Sequence, residues 1–189
     1  MKKSRWLGLF ALGLSALVLA AALPAAASTF LAATPEELVA QSDAVVQGRV
    51  LQVDSFWSPS GRLIVTEAMV QVEEAVTGRA PSVVVLRTAG GTVGGYTIQA
   101  HGFPEFKVND RLLLFIRNGE PGNVVGYRQG QYRIALSQGV EMALPTVEAG
   151  VRLLTPDGRQ AASPQPVRLD VLKDRIRDAG ARRPLRRTR

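Results

Sequence analysis

From Ile64 to Val76 the side chains alternate. Ile64, Thr66, Ala68, Val70 and Val72 fall on one face, and Glu67, Gln71 and Glu73 fall on the other. A period of two fits a strand buried on one side, since a helix would mix the two sets around its circumference. This segment commits the chain to half-buried antiparallel sheet, and the neighbouring segments supply its partners.

Asp43 to Asp54 is rich in β-branched residues and reads as a strand, with Gly48 marking a bend or bulge. Ser58-Pro59-Ser60-Gly61 and Thr77-Gly78-Arg79-Ala80-Pro81 are turns that bracket the alternating strand. Val83 to Thr88 is a third strand. Leu112-Leu113-Leu114-Phe115-Ile116 is too short for a typical helix and reads as a strand buried on both faces. Val124 to Arg128 and Gln131 to Leu136 are expected to form a hairpin around Gln129-Gly130. Val151 to Leu154 adds an edge strand. Ile64, Val70, Val72, Leu112, Leu114, Phe115, Tyr132 and Ile134 are the expected core.

Two helices flank this body. Thr34-Pro35-Glu36-Glu37 is a helix start, with Thr34 and Glu37 forming a capping box and Pro35 in the first turn. That helix runs to about Gln41 and docks through Leu38 and Val39. After a turn-rich stretch from Thr155 to Pro166, Val167 to Ala179 has Leu169, Leu172 and Ile176 at helical spacing, with Gly180 as its stop.

The termini carry the charge. Lys2, Lys3 and Arg5 precede an uncharged apolar run from Trp6 to Leu23, and Ala25 and Ala27 form an A-x-A site. This order implies a secretory signal peptide over residues 1–27, cut before Ser28; the alternative is an uncleaved anchor. Lys-Lys rather than Arg-Arg favours the general secretory route. The whole chain is +7. Three bases in the leader and Arg182, Arg183, Arg186, Arg187 and Arg189 at the other end leave the body between them at −1. The basic balance therefore belongs to the ends, and a nucleic-acid partner is not expected. The expected layout is a signal peptide over 1–27, a β-barrel domain over 28–154, a linker and helix over 155–180, and a disordered Arg-rich tail over 181–189.

Several short strands, an early Gly bend and a preceding helix suggest a small closed or partly open barrel. The run Leu38 to Val50, followed by the strand that ends Val72-Glu73-Glu74-Ala75-Val76-Thr77-Gly78, resembles the opening of netrin-like domains. These include the tissue inhibitors of metalloproteinases. Gly90-Gly91, Phe106 to Phe115 and Gln129 to Tyr132 are similar to motifs of a set of uncharacterised secreted bacterial proteins. The resemblance spans about Thr34 to Leu136. It implies a mainly β, OB-fold-like barrel with a short N-terminal and a C-terminal helix. The inhibitors resemble a wedge whose N-terminal Cys chelates zinc. This chain has no Cys, so that chemistry does not transfer.

Chemistry-bearing residues are few. Zero Cys excludes disulfides, thiolate metal sites and a Cys nucleophile, and the single His excludes a His-rich metal centre. No metal and no cofactor is expected. His101 and Glu105 form a His-x-x-x-Glu pair in a loop that Gly102 and Pro104 keep from being helical. Gly90, Gly91, Gly94 and Gly95 lack the Lys-Ser/Thr of a phosphate loop and read as a close-approach turn segment. Glu73 and Glu74 are neighbours in a strand and are expected to face opposite sides. Trp57 is either a contact residue or a plug closing the barrel end.

These features imply an exported, non-enzymatic binding module. Its contact surface is centred on Gly90, Gly91, Gly94, Gly95, His101 and Phe103, with Trp57 as a neighbour, and its partner is a protein or glycan of the envelope or exterior. An exported protease as that partner is a fold-level analogy. The alternatives are a hydrolase using the His101–Glu105 loop, and a structural envelope component retained by the Arg-rich end binding polyanions.

Overall fold

The structure, a computed structural model, describes residues 28–148 and 151–182. The expected signal segment and Arg183, Arg186, Arg187 and Arg189 lie outside the described residues. The chain begins with β1 (Thr29–Leu31) and α1 (Pro35–Gln41), followed by two long strands, β2 (Ala44–Trp57) and β3 (Ile64–Gly78). After β4 (Val83–Ala89) comes a small hairpin of β5 (Gly91–Val93) and β6 (Tyr96–Ile98). Next are β7 (Arg111–Arg117), β8 (Asn123–Val124), a 3-10 turn (Tyr127–Gly130), β9 (Gln131–Ser137) and β10 (Val140–Pro145). β11 (Arg152–Leu154), β12 (Val167–Arg168) and α2 (Leu169–Ala181) complete the fold.

The main sheet runs β12-β10-β9-β7-β2-β3-β4, with β8 beside β7. Its end strands do not pair with each other, so the mainly β expectation holds but the sheet does not close into a barrel. β2 is the axis. Its first half pairs with β7 on one side, and its whole length pairs with β3 on the other. Register shifts at Val45/Val46, Gln47/Gly48 and Val50/Gln52 bend it, as bulges do. Gly48 sits at one of these, where a Cβ would lie 2.5 Å from the Gln71 carbonyl oxygen. The close approach of β3 therefore requires glycine there.

Both faces of β7 are buried, which explains its unbroken apolar run. Leu112, Leu114 and Ile116 join Val46, Val50, Ala68, Val70 and Leu86 inside the curl of the sheet. Leu113 and Phe115 point the other way, to Val45, Tyr132 and Ile134, and the two helices cover them. α1 brings Leu38 and Val39, and its capping box forms as the sequence implies: Glu37 N–H donates to the Thr34 hydroxyl and Thr34 N–H to the Glu37 carboxylate. α2 brings Leu169, Leu172 and Ile176 to the same cluster, so the C-terminal helix is part of the core of the body.

The expected core residues are buried, Val72 partly so. Three local expectations are corrected. The segment after β8 does not pair with β9: β8 pairs with β7, and β9 forms its hairpin with β10 across Gln138-Gly139. Both turn residues have positive φ, 49° and 78°, as the mirror-image hairpin turn demands. Gln-Gly there plays the part more often taken by Asn-Gly. Val167 and Arg168 pair with β10 instead of opening the helix, which starts at Leu169. Gly180 lies inside the last turn and does not stop the helix. A Cβ there would meet the Thr77 hydroxyl oxygen at 2.3 Å, so the glycine lets α2 lie against β3.

Candidate functional site

The window from Gly90 to Phe106 is tied to β3, to β4 and to the Arg128–Gln131 segment by hydrogen bonds. Gly90 and Gly91 make the exit from β4. Gly90 N–H donates to Ile64 C=O, and the Thr66 hydroxyl donates back to Gly90 C=O. Gly91 has φ +136°, and a Cβ on it would lie 2.4 Å from the Thr66 hydroxyl oxygen and 2.5 Å from that of Ser55. Gly94 and Gly95, at φ +55° and +82°, form the tip of the β5–β6 hairpin, with open space around them. The close-approach turn segment expected from the glycines is a small hairpin, open at its tip and tight at its base.

Trp57 is brought to this window as expected. It ends β2, is 40% exposed, and meets the edge of Tyr96 at a centroid distance of 6.0 Å. The end of β2 and the hairpin thus present two exposed rings in edge-to-face contact, and Trp57 does not plug the core.

Phe103 belongs to a second aromatic group. Its ring stands edge-on to Tyr127 at 5.0 Å, and Phe30 flanks the same Tyr127 at 5.1 Å. The far end of the Phe30 ring sits against Gly102, whose φ of +83° and missing Cβ make room for it: a Cβ would sit 2.3 Å from the Phe30 Cζ. Tyr127 itself has φ +57°, a left-handed conformation rare for an aromatic residue. Gly126 before it has φ +68°, so the chain makes two left-handed steps that set the tyrosine ring between the two phenylalanines. Strain of this kind persists only where surrounding contacts over-determine it.

The polar part centres on Arg128, a residue the sequence did not single out. Its side chain is 10% exposed. Nε donates to Phe103 C=O at 2.8 Å and Nη1 to Thr146 C=O at 3.2 Å, while Nη2 contacts Glu105 at 2.6 Å and Glu148 at 2.7 Å. One guanidinium therefore ties the His101–Phe106 loop to the chain leaving β10. Gln131, also buried, donates to Glu105 C=O at 2.6 Å. His101 does not meet Glu105. Its Nδ1 lies 3.2 Å from Glu148, so two carboxylates share one buried arginine and the imidazole is linked to it through Glu148. Among the described residues no group of three metal-binding side chains occurs and no hydroxyl is bonded to His101. A cleft of about 320 Å³ lies here, lined by Glu105, Arg128, Gln131 and Glu148, with Lys107 and Arg133 at its sides.

The paired carboxylates of β3 behave differently from expectation. The register skips Glu73, since Gln47 pairs with Glu74 and Gly48 with Val72. This bulge interrupts the alternation, and Glu73 and Glu74 are joined through the chain Gln47–Lys173. Gln47 donates to Glu73 at 3.0 Å and accepts from Lys173 at 2.9 Å, and Lys173 is paired with Glu74. Burial pushes both carboxyls up, but their partners outweigh it and hold them below their ordinary range: Gln47, Arg111 and Arg49 at Glu73, and Lys173 and Arg177 at Glu74. Glu36 is held down in the same way by its own backbone N–H and by Arg175. These charges clamp α2 to the sheet and to α1. Of the Arg-rich end, Arg182 donates to Asp178 C=O within its own helix and makes no contact with the loop window.

No family model matches the chain, and neither a curated protein nor a solved structure is similar to it.

Proposed function

We propose that this chain is an exported, non-enzymatic binding module on an OB-like, netrin-like domain, and that it grips a protein or glycan partner through the Gly90–Phe106 window. The observation that carries this reading is the rigid display of exposed aromatic rings: Tyr127, 45% exposed, is fixed between Phe30 and Phe103, and Trp57 stands beside Tyr96. Aromatic rings held in place bury large area at little cost in conformational freedom, which is what contact surfaces use. The strand order β4-β3-β2-β7-β9 is consistent with a partly open barrel of that kind. Export rests on the leader: its basic start, its uncharged apolar run and the A-x-A site before Ser28.

The test is partner capture from envelope extracts by the protein and by a Trp57→Ala/Tyr127→Ala/His101→Ala variant, with melting measured on both. Loss of capture at nearly unchanged melting temperature supports the reading. Intact capture by the folded variant contradicts it.

A further inference from the structure

We infer that β4 pairs edge to edge with β4 of a second copy, giving a two-fold dimer centred on Val83. β4 ends the main sheet, so one of its edges has no strand beside it. Ser82 C=O accepts from Val72 N–H and Gly90 N–H donates to Ile64 C=O, so the even-numbered residues of β4 turn their main-chain groups to β3. Val83, Val85 and Arg87 turn theirs outward. Gly122 takes two of these groups: its N–H donates to Val85 C=O and its C=O accepts from Arg87 N–H, both at 2.9 Å. Among the described residues, the N–H and C=O of Val83 and the N–H of Val85 are left without a partner at the start of this edge, and beyond Gly122 so are the C=O of Arg87 and the main-chain groups of Ala89. Pro81 offers a carbonyl and, as proline, no N–H.

The start of this edge is complementary to itself. In an antiparallel pair with Val83 opposite its twin, the two valines exchange both hydrogen bonds. Val85 then falls opposite Pro81 of the other copy. That position needs an acceptor for the Val85 N–H, which Pro81 supplies. It needs no donor for the Val85 carbonyl, because Gly122 already holds it. The free groups of Val83 and Val85 are used and none is duplicated, while the edge beyond Gly122 stays outside the pairing. The side chains agree with the backbone. Val83 is 39% exposed beside an apolar groove of about 720 Å³ lined by Pro81, Val85, Ile116 and Pro121. The same groove carries one base, Arg117, and two acids, Glu67 and Glu120; Glu67 is already paired with Arg87, which leaves Arg117 and Glu120 as charges whose signs complement a second copy. An uncharged Val-Val-Val-Leu edge left bare invites strand pairing, and a closed dimer is one way to satisfy it.

The experiment uses the absence of cysteine from the chain. In Val83→Cys the two introduced thiols lie opposite each other, at the Cα separation of about 5.5 Å that a hydrogen-bonded strand pair sets and a disulfide accepts. Leu136→Cys places a thiol on a residue 72% exposed at another part of the surface. Sedimentation of the purified protein is expected to show a dimer, and Val83→Lys should weaken it at least about tenfold without lowering the melting temperature. Under mild oxidation Val83→Cys should form a covalent dimer much faster than Leu136→Cys. A protein that sediments as a monomer at every concentration overturns the proposal. So does a dimer in which the two cysteine variants cross-link at equal rates. If Val83→Lys does not fold, the comparison of cysteine variants decides.

Discussion

Replacing Ile176 by Ala tests whether the C-terminal helix is structural core or an appended arm. Ile176 has no exposed surface and lies in one cluster with Leu38, Phe115 and Tyr132. The substitution removes three carbons, about 2.4 kcal/mol of transfer free energy at about 0.8 kcal/mol each. A residual cavity of about 60 Å³ adds roughly 1.5 kcal/mol, because the sheet on one side and α1 on the other limit collapse. The expected loss is about 4 kcal/mol, which for a domain of this size lowers the melting temperature by roughly 8–16 °C. Calorimetry and urea titration on the same samples measure it, with an unchanged m-value showing that the unfolding unit is the same. A loss below about 1 kcal/mol, as at ordinary surface positions, refutes the claim that α2 and the sheet share a core.

Arg128→Met should cost about 2–4 kcal/mol, since it leaves Glu148 without its buried cation and releases the Phe103 and Thr146 carbonyls; urea titration reads it, and Glu105→Gln should cost far less because Glu105 is more than half exposed. Gly91→Ala should destabilise more than Gly94→Ala in thermal melts: both have positive φ, but only at Gly91 would the new Cβ collide with the Thr66 and Ser55 hydroxyls. The clamp on α2 makes stability depend on acid. Glu36, Glu73 and Glu74 have folded pKa values below their ordinary value of 4.5, so below about that pH the unfolded chain binds protons first. Their contribution is complete above that range and is lost as the pH falls through the lowered folded values; Lys173→Met should flatten this acid limb in melts followed against pH.

The strands were legible where burial leaves a period. β3 has one dry face and one wet face, and its alternation of Ile64 to Val72 against Glu67 and Gln71 survives intact. β7 is dry on both faces and reads as an apolar run, and α1 is announced by its capping box. The errors arise where a long-range contact decides. The Glu73 bulge depends on how β2 bends around Gly48, so no local pattern announced that Glu73 and Glu74 would be linked through Gln47 and Lys173. β1 and β11 pair across more than 100 residues and are too short to show a period. In the loop window, Trp57, the glycines, His101 and Phe103 were visible by residue type. Their partners were not: Arg128, Tyr127 and Glu148 belong to other segments, and a lone arginine between Tyr127 and Gln129 reads as surface. One signal was available for Arg128, the run Val124-Val125-Gly126 that leads the chain inward just before it.

The central claim is that the Gly90–Phe106 window and Tyr127 meet the partner. Hydrogen exchange of the protein alone and with its captured partner tests it most directly. New protection is expected at Gly91 to Phe103 and at Tyr127 and Arg128, with the core strands β2, β3 and β7 unchanged. Protection confined to other surfaces, with this window exchanging as fast bound as free, contradicts it.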